Sequence, residues 1–526
     1  MIITRKASVQ SSSPGRIFLA TFTFFSLLGI LWAMASPIFS VPDENAHATK
    51  AIAQLRGEVI GHRVPGVRQL VVDLPPQFSY SSGLMCFVFN PNATADCPVE
   101  LGSKTGTKSF PSWVSSYNPV YYEIVGWPSL IFGGSAGIYA MRIMSSLLSA
   151  ALIAWAFQAA LSRRHARWMP AGLVFLFSPM IVYLAGSVNP QGLEVTAAAA
   201  LWVGLTRLLQ TFTTPDVRSL PRAYLWTIVT VSASLLATAR SLGPLWVVII
   251  VIACFLFVGR KSVWAVFSRA RSYLPIALIA MAGLFSVLWT LAGGSLSGQA
   301  EKGDAPAVGV SFANGVWLTL RSTPAYFEQA AGVFGWQDTY LDTAAYLIFG
   351  AALILLIALA LTVLKRRGAL VLAVALVAAI AIPAIVQGYS AHQTGLIWQG
   401  RYGLYLYVAI PLLAAALLSG RGGIRIAFLS IRFTVVIALM TGGYGAFAFV
   451  LVLRRYVIGA SVPITHMVSA PQWQPPLGWM LLCALFAVVM AAFTAWIIRL
   501  AIVSATEPVE RRTAPDDAGA VSVVAK

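Results

Sequence analysis

Two adjacent carboxylates, Asp43 and Glu44, stand directly after the first long apolar run of the chain, in Ser40-Val41-Pro42-Asp43-Glu44, with His47 just behind them. If Pro42 lies in a first helical turn, residues 42–56 form a helix on which Asp43, Glu44 and His47 share one face by i,i+3 and i,i+4 spacing, while Ala46, Ile52 and Ala53 face another. A carboxylate so placed can take a proton from a hydroxyl, and the imidazole can orient it. The same three side chains can also contribute ligands to a divalent ion, although three residues do not establish a metal site. A second reading needs no chemistry: Ser40 to Asp43 resembles a capping box, and acids in a first turn simply oppose the helix dipole.

Cations recur within or beside apolar runs: Arg142, Arg240 before Ser241-Leu242-Gly243-Pro244, and Arg401 in Trp398-Gln399-Gly400-Arg401-Tyr402. A charge in hydrocarbon costs about 3 kcal/mol or more, so each arginine must snorkel, pair or line a site. Glu123, Glu194 and Asp338 are candidate partners, and a phosphate is the alternative that suits the planar guanidinium fork. Glu123 follows Tyr117-Asn118-Pro119-Val120-Tyr121-Tyr122, whose tyrosines read as an interfacial aromatic belt or as a sugar platform. Trp336, in Phe334-Gly335-Trp336-Gln337-Asp338, fits either stacking on a sugar ring or anchoring at the interface.

The elements that must carry these residues are membrane helices. The 526 residues are 58% hydrophobic and 10% charged, with a mean hydropathy of +0.78, which excludes an ordinary soluble enzyme. Runs of about 20 apolar residues suffice to cross a bilayer, and twelve are expected. They lie near Ile17–Phe39, Ile138–Leu161, Met169–Ser187, Gly192–Gln210, Ala223–Arg240, Leu242–Val258, Tyr273–Gly293, Asp342–Leu364, Gly368–Gln387, Tyr402–Ser419, Phe433–Leu453 and Leu477–Arg499. Ile124–Gly134 is apolar but too short to cross, and reads as an interfacial or re-entrant segment.

Threading these spans with the N-terminus inside puts the whole formal excess of +18 on one side, the arrangement that the positive-inside tendency favours. The charge is then topogenic and implies no nucleic-acid partner. The expected organisation is a cytoplasmic N-terminus (1–16), a first span (17–39), a large extracytoplasmic loop (40–137) and spans two to seven (138–293). A second extracytoplasmic loop (294–341), the remaining spans (342–499) and a disordered cytoplasmic tail (500–526) complete it. The first apolar run exceeds a signal-peptide core and ends in Ser36-Pro37-Ile38-Phe39, so it reads as a retained helix. Cys86 and Cys97 flank Phe87-Val88-Phe89-Asn90-Pro91-Asn92, whose Asn-Pro-Asn turn can bring them together, and a disulfide is expected on an oxidising side. No cytoplasmic loop carries a phosphate-cradling glycine motif, so chemistry is expected at the outer face.

In order, Pro42-Asp43-Glu44 with His47, Asn118-Pro119-Val120-Tyr121-Tyr122, Arg142, Asn189-Pro190 with Gly192-Leu193-Glu194, Phe334-Gly335-Trp336 with Asp338, and Gln399-Gly400-Arg401-Tyr402 resemble the DUF2142 family of polytopic membrane proteins. That family is grouped with the GT-C type of lipid-linked glycosyltransferases. The resemblance implies an all-α, GT-C-like bundle of about 12 helices in the cytoplasmic (inner) membrane, with both termini cytoplasmic. It implies transfer of a sugar from a polyprenyl-phosphate donor to a cell-envelope glycan or lipid acceptor, with a transporter or flippase of lipid-linked saccharides, or a non-catalytic assembly subunit, as alternatives. Asp43 or Glu44 would be the base, with His47 beside it; Arg401, Arg240, Arg142 and Tyr402 would hold the donor phosphate; Glu123, Asn189, Trp336 and Asp338 would contact substrate. Some GT-C enzymes use a divalent ion, so a metal stays open.

Overall fold

Ser13 caps and Pro14 opens the first helix, Pro14–Ala35, a position where a missing N–H removes no hydrogen bond. The computed structural model describes residues 13–102, 109–163, 166–213, 220–295, 305–420 and 424–506. Arg5, Lys6, Lys104, Lys108, Arg164, Asp216, Arg218, Glu301, Lys302, Asp304, Arg421 and the charged residues from Glu507 to Lys526, all used to orient the chain, lie outside these ranges, as do residues 507–526 of the expected tail. The first residues of that tail, 500–506, continue the last helix, Trp479–Thr506.

The chain is a multi-pass membrane protein. Among the described residues nine helices are long and apolar enough to cross a bilayer, or ten if Gly243–Val258 is joined to Arg260–Phe267 across a 119° bend. Three of the expected twelve fall short of this length-and-hydropathy measure, each for a local reason. Met169–Ser187 breaks into Met169–Leu173, a 3-10 turn and Pro179–Ala185, because Ser178 precedes a proline and takes an extended ψ of 144°. Arg222–Ala239 has 18 residues, but Arg222 and its threonines and serines dilute its hydropathy. Gly243–Val258 has only 16 before Gly259, at φ 97°, turns the chain.

Trp32 sits at the centre of the packing. Its ring lies 5.3 to 5.8 Å from those of Tyr183, Phe334, Phe449 and Phe486, drawing four separate segments onto the first helix. Gly29 meets Ser146 so closely that a β-carbon would overlap its hydroxyl, which sets the approach of Pro14–Ala35 to Gly134–Leu161.

The first loop is folded rather than irregular. Its helix Glu44–Gln54 is buried along its whole length against Val120–Gly126. A two-stranded antiparallel sheet, Val71–Asp73 with Ser109–Pro111, departs from the all-α expectation. Tyr121 and Tyr122 are fully buried, so they are neither an interfacial belt nor an open sugar platform. In the next segment Trp127, Leu130, Ile131 and Phe132 are exposed, as the expected interfacial segment requires.

Cys86 and Cys97 are joined, with Cα atoms 5.6 Å apart. Arg455 holds this lobe in place: it donates to the carbonyls of Phe87, Asn90 and Ala93 and pairs with Asp338 at 3.1 Å. Reduction is expected to cost about 2–3 kcal/mol through regained loop entropy. The checks are a lower unfolding midpoint in detergent after reduction, and labelling of only Cys254 and Cys483 in denatured, unreduced protein.

Candidate active site

The adjacent acids part company at the backbone. Asp43 adopts φ 64° and ψ 1°, the left-handed region that Asp and Asn tolerate better than most side chains, and the helix begins only at Glu44. The two carboxylates consequently point in different directions. A left-handed non-glycine residue costs about 1–2 kcal/mol, the kind of local strain found at functional sites.

Glu44 is turned inward and fully buried. Its carboxylate accepts from Arg142 Nε at 2.8 Å, Arg142 Nη2 at 2.6 Å and the Val188 amide at 3.0 Å. The remaining donors of Arg142 go to the carbonyls of Ala33, Ser36 and Pro37. All five guanidinium hydrogens are thereby used. Arg142 knits the end of the first span to the first loop, and has nothing left for the phosphate that the sequence assigned to it.

Asp43 faces the other way, with a quarter of its side chain exposed. Its Oδ1 accepts from Trp113 Nε1 at 3.1 Å and its Oδ2 from Arg401 Nη2 at 3.1 Å. Arg401, nearly buried, is steered by Gln399 Oε1 at 2.6 Å and Gln191 Oε1 at 2.8 Å. Gly400 permits this because a β-carbon there would overlap the Tyr326 carbonyl. Two cations lie over Tyr402: the guanidinium carbons of Arg401 and Arg240 are 5.2 and 4.9 Å from its ring centre. Arg240 is one-fifth exposed and has Glu194 as a loose partner at 3.7 Å.

His47 is buried below this site with Nδ1 2.8 Å from the Tyr122 hydroxyl. Burial pushes its pKa down to about 3, helped by Arg240, Arg401 and Lys50 and opposed by Asp43, so the imidazole is neutral at any physiological pH. Lys50 donates to the carbonyls of Val59 and Ser115, and burial lowers its pKa to about 7 against the opposing pull of Glu123. With Glu44 committed to Arg142, the shared face of Asp43, Glu44 and His47 expected from spacing is absent. Among the described residues these three do not form a metal-holding group.

Of the proposed substrate contacts, Asn189 caps its helix through the Gln191 amide and donates to the Pro42 carbonyl at 3.0 Å, bracing the turn that presents Asp43. Trp336 donates to the Phe39 carbonyl at 3.0 Å, and Asp338 is taken by Arg455. Glu123 is exposed and accepts from Gln54 at 2.8 Å. All four thus have protein partners.

A family comparison matches residues 25–413, described as a predicted membrane protein (DUF2142), across most of the chain. The chain belongs to the DUF2142 family. No curated protein matches. Among solved structures, this DUF2142 protein is similar to ArnT from Cupriavidus metallidurans bound to undecaprenyl phosphate, at 14% identity and a TM-score of 0.42, covering 92% of this chain and 77% of that one. The same ArnT in the apo state gives 14% and 0.41, with 92% and 76% covered.

Asp43, Arg240, Arg401 and Tyr402 all fall inside the matched span of the DUF2142 protein, whereas Arg455 lies beyond it. Three participants were not singled out from sequence. Trp113 sits in a loop with no periodicity to mark it; Gln191 and Gln399 were visible only as neighbours of Asn189 and Arg401. Their amides could have been suspected, since an arginine inside a membrane bundle needs acceptors.

Proposed function

We propose that this protein is a membrane glycosyltransferase that moves a sugar from a polyprenyl-phosphate donor to a cell-envelope acceptor at the extracytoplasmic face. The observation that carries the reading is the contact between Asp43 and Arg401, residues 358 positions apart meeting at 3.1 Å, with a second arginine, Arg240, over the same Tyr402 ring. A partly exposed carboxylate next to paired guanidinium groups is what transfer from a phosphate leaving group requires. The donor phosphate enters beside Arg401 and Arg240 and competes for Arg401, which frees Asp43 to accept the proton of the acceptor hydroxyl. The acceptor oxygen then bonds to the anomeric carbon as the carbon–oxygen bond to phosphate breaks. The phosphate keeps the electron pair, and its growing charge is met by the two arginines. His47, held neutral, supports the floor of the site through Tyr122. In this reading the protein lies in the cytoplasmic membrane with both termini inside.

Arg401→Ala is expected to weaken donor binding and turnover together, by roughly 10- to 100-fold, because a charge-assisted contact to phosphate is worth about 1.5–3 kcal/mol and is made in both ground and transition states. The experiment is transfer from a radiolabelled polyprenyl-phosphate sugar by purified protein, with donor binding measured in parallel. Binding without turnover by the wild type would instead favour a carrier of lipid-linked saccharides.

A further inference from the structure

The helix Arg222–Ala239 delivers Arg240 to the site at one end; its other end is 18 residues away, about 27 Å at 1.5 Å per residue. Its neighbour Tyr273–Ala292 has the same polarity across the protein. Near its C-terminus Trp289 donates to the carbonyls of Ser116 and Tyr117 in the first loop, so its beginning lies toward the opposite membrane face. There, between the two helices, opens a cavity of about 1020 Å³, large beside small-ligand pockets of roughly 300–1,000 Å³.

Its walls include Trp226 and Leu278, and three arginines line it: Arg222, Arg269 and Arg271. No described residue lining it is acidic. Arg222 and Arg269 place their guanidinium carbons 4.9 and 5.0 Å from the centre of a single ring, Phe212. Arg222 is fixed there by donating to Thr211 Oγ1 at 3.2 Å and to the Thr211 carbonyl at 2.6 Å. All three arginines are exposed, so their guanidinium groups are open to an anion at the mouth of the groove, and two of them are already gathered at one ring. An apolar slot between membrane helices that ends in arginines matches a lipid with an acidic headgroup.

We propose that this cavity binds an anionic phospholipid, with its acyl chains against the apolar walls and its phosphate among Arg222, Arg269 and Arg271. The site is separate from the donor site, a full helix length away.

The test uses the full chain in phosphatidylcholine nanodiscs containing increasing phosphatidylglycerol, with bound lipid counted by native mass spectrometry. Wild type should retain phosphatidylglycerol in preference to phosphatidylcholine. Arg269→Gln with Arg271→Gln should weaken that retention about tenfold or more, since each basic group near a charged membrane surface contributes measurably. Leu278→Trp, which fills the slot without touching the arginines, should do the same and guards against a folding defect in the charge variant. Arg401→Ala should leave retention unchanged, and inorganic phosphate should not displace the lipid. Equal retention of both lipids by wild type, wild-type retention by both variants, or displacement by inorganic phosphate would each overturn the proposal, the last pointing to a small-anion site.

Discussion

Asp43→Asn is expected to lower sugar transfer roughly 100-fold or more, the usual contribution of a positioned general base, while the protein folds and binds donor as before. The substitution is mild on structural grounds. Asparagine tolerates the left-handed conformation as readily as aspartate, so the φ of 64° is retained. Its Oδ1 can still accept from Trp113, whose Nε1 lies 3.1 Å from the present carboxylate. What is lost is basicity and the ionic part of the contact to Arg401, and a phosphate that no longer competes for that arginine should bind at least as well. Transfer and donor binding, measured on the same preparation, separate the two terms. Near-wild-type transfer by Asp43→Asn would remove Asp43 from the reaction.

Glu44→Gln should behave in the opposite way, failing in stability rather than in chemistry. Both members of the Glu44–Arg142 pair are fully buried, and removing the carboxylate leaves a desolvated guanidinium with only carbonyl and amide acceptors. Breaking such a pair from one side costs about 3–5 kcal/mol. The expected readout is a large drop in unfolding midpoint and yield in detergent. Glu44→Gln with Arg142→Met should recover much of the loss, because two buried charges replaced by neutral groups often leave stability little changed. A Glu44→Gln protein as stable as wild type but unable to transfer sugar would exchange the roles of the two acids.

The amino-acid sequence by itself determined that this chain lives in a membrane, since apolar runs of the required length leave no soluble alternative. It also marked the segments that matter: the acids after the first span, the cysteines flanking an Asn-Pro-Asn turn, and the arginine of Gly400-Arg401-Tyr402. These are local patterns, set by residue type and short spacing. Span integrity was already less legible, because Ser178 before Pro179 interrupts the run Met169–Ser187 that hydropathy alone draws as continuous.

Which acid faces the site and which arginine faces it were decided only by tertiary structure. A helix drawn from Pro42 puts Asp43, Glu44 and His47 on one face; one left-handed residue at Asp43 divides them. Arg142 and Arg401 look alike as isolated cations in apolar surroundings, yet the first is saturated by Glu44 and three carbonyls while the second retains a partly exposed partner. The physical reason is distance along the chain. The partners of Arg142 lie about a hundred residues before it and that of Arg401 lies 358 before it, and no local periodicity records which buried cation is met by which carboxylate.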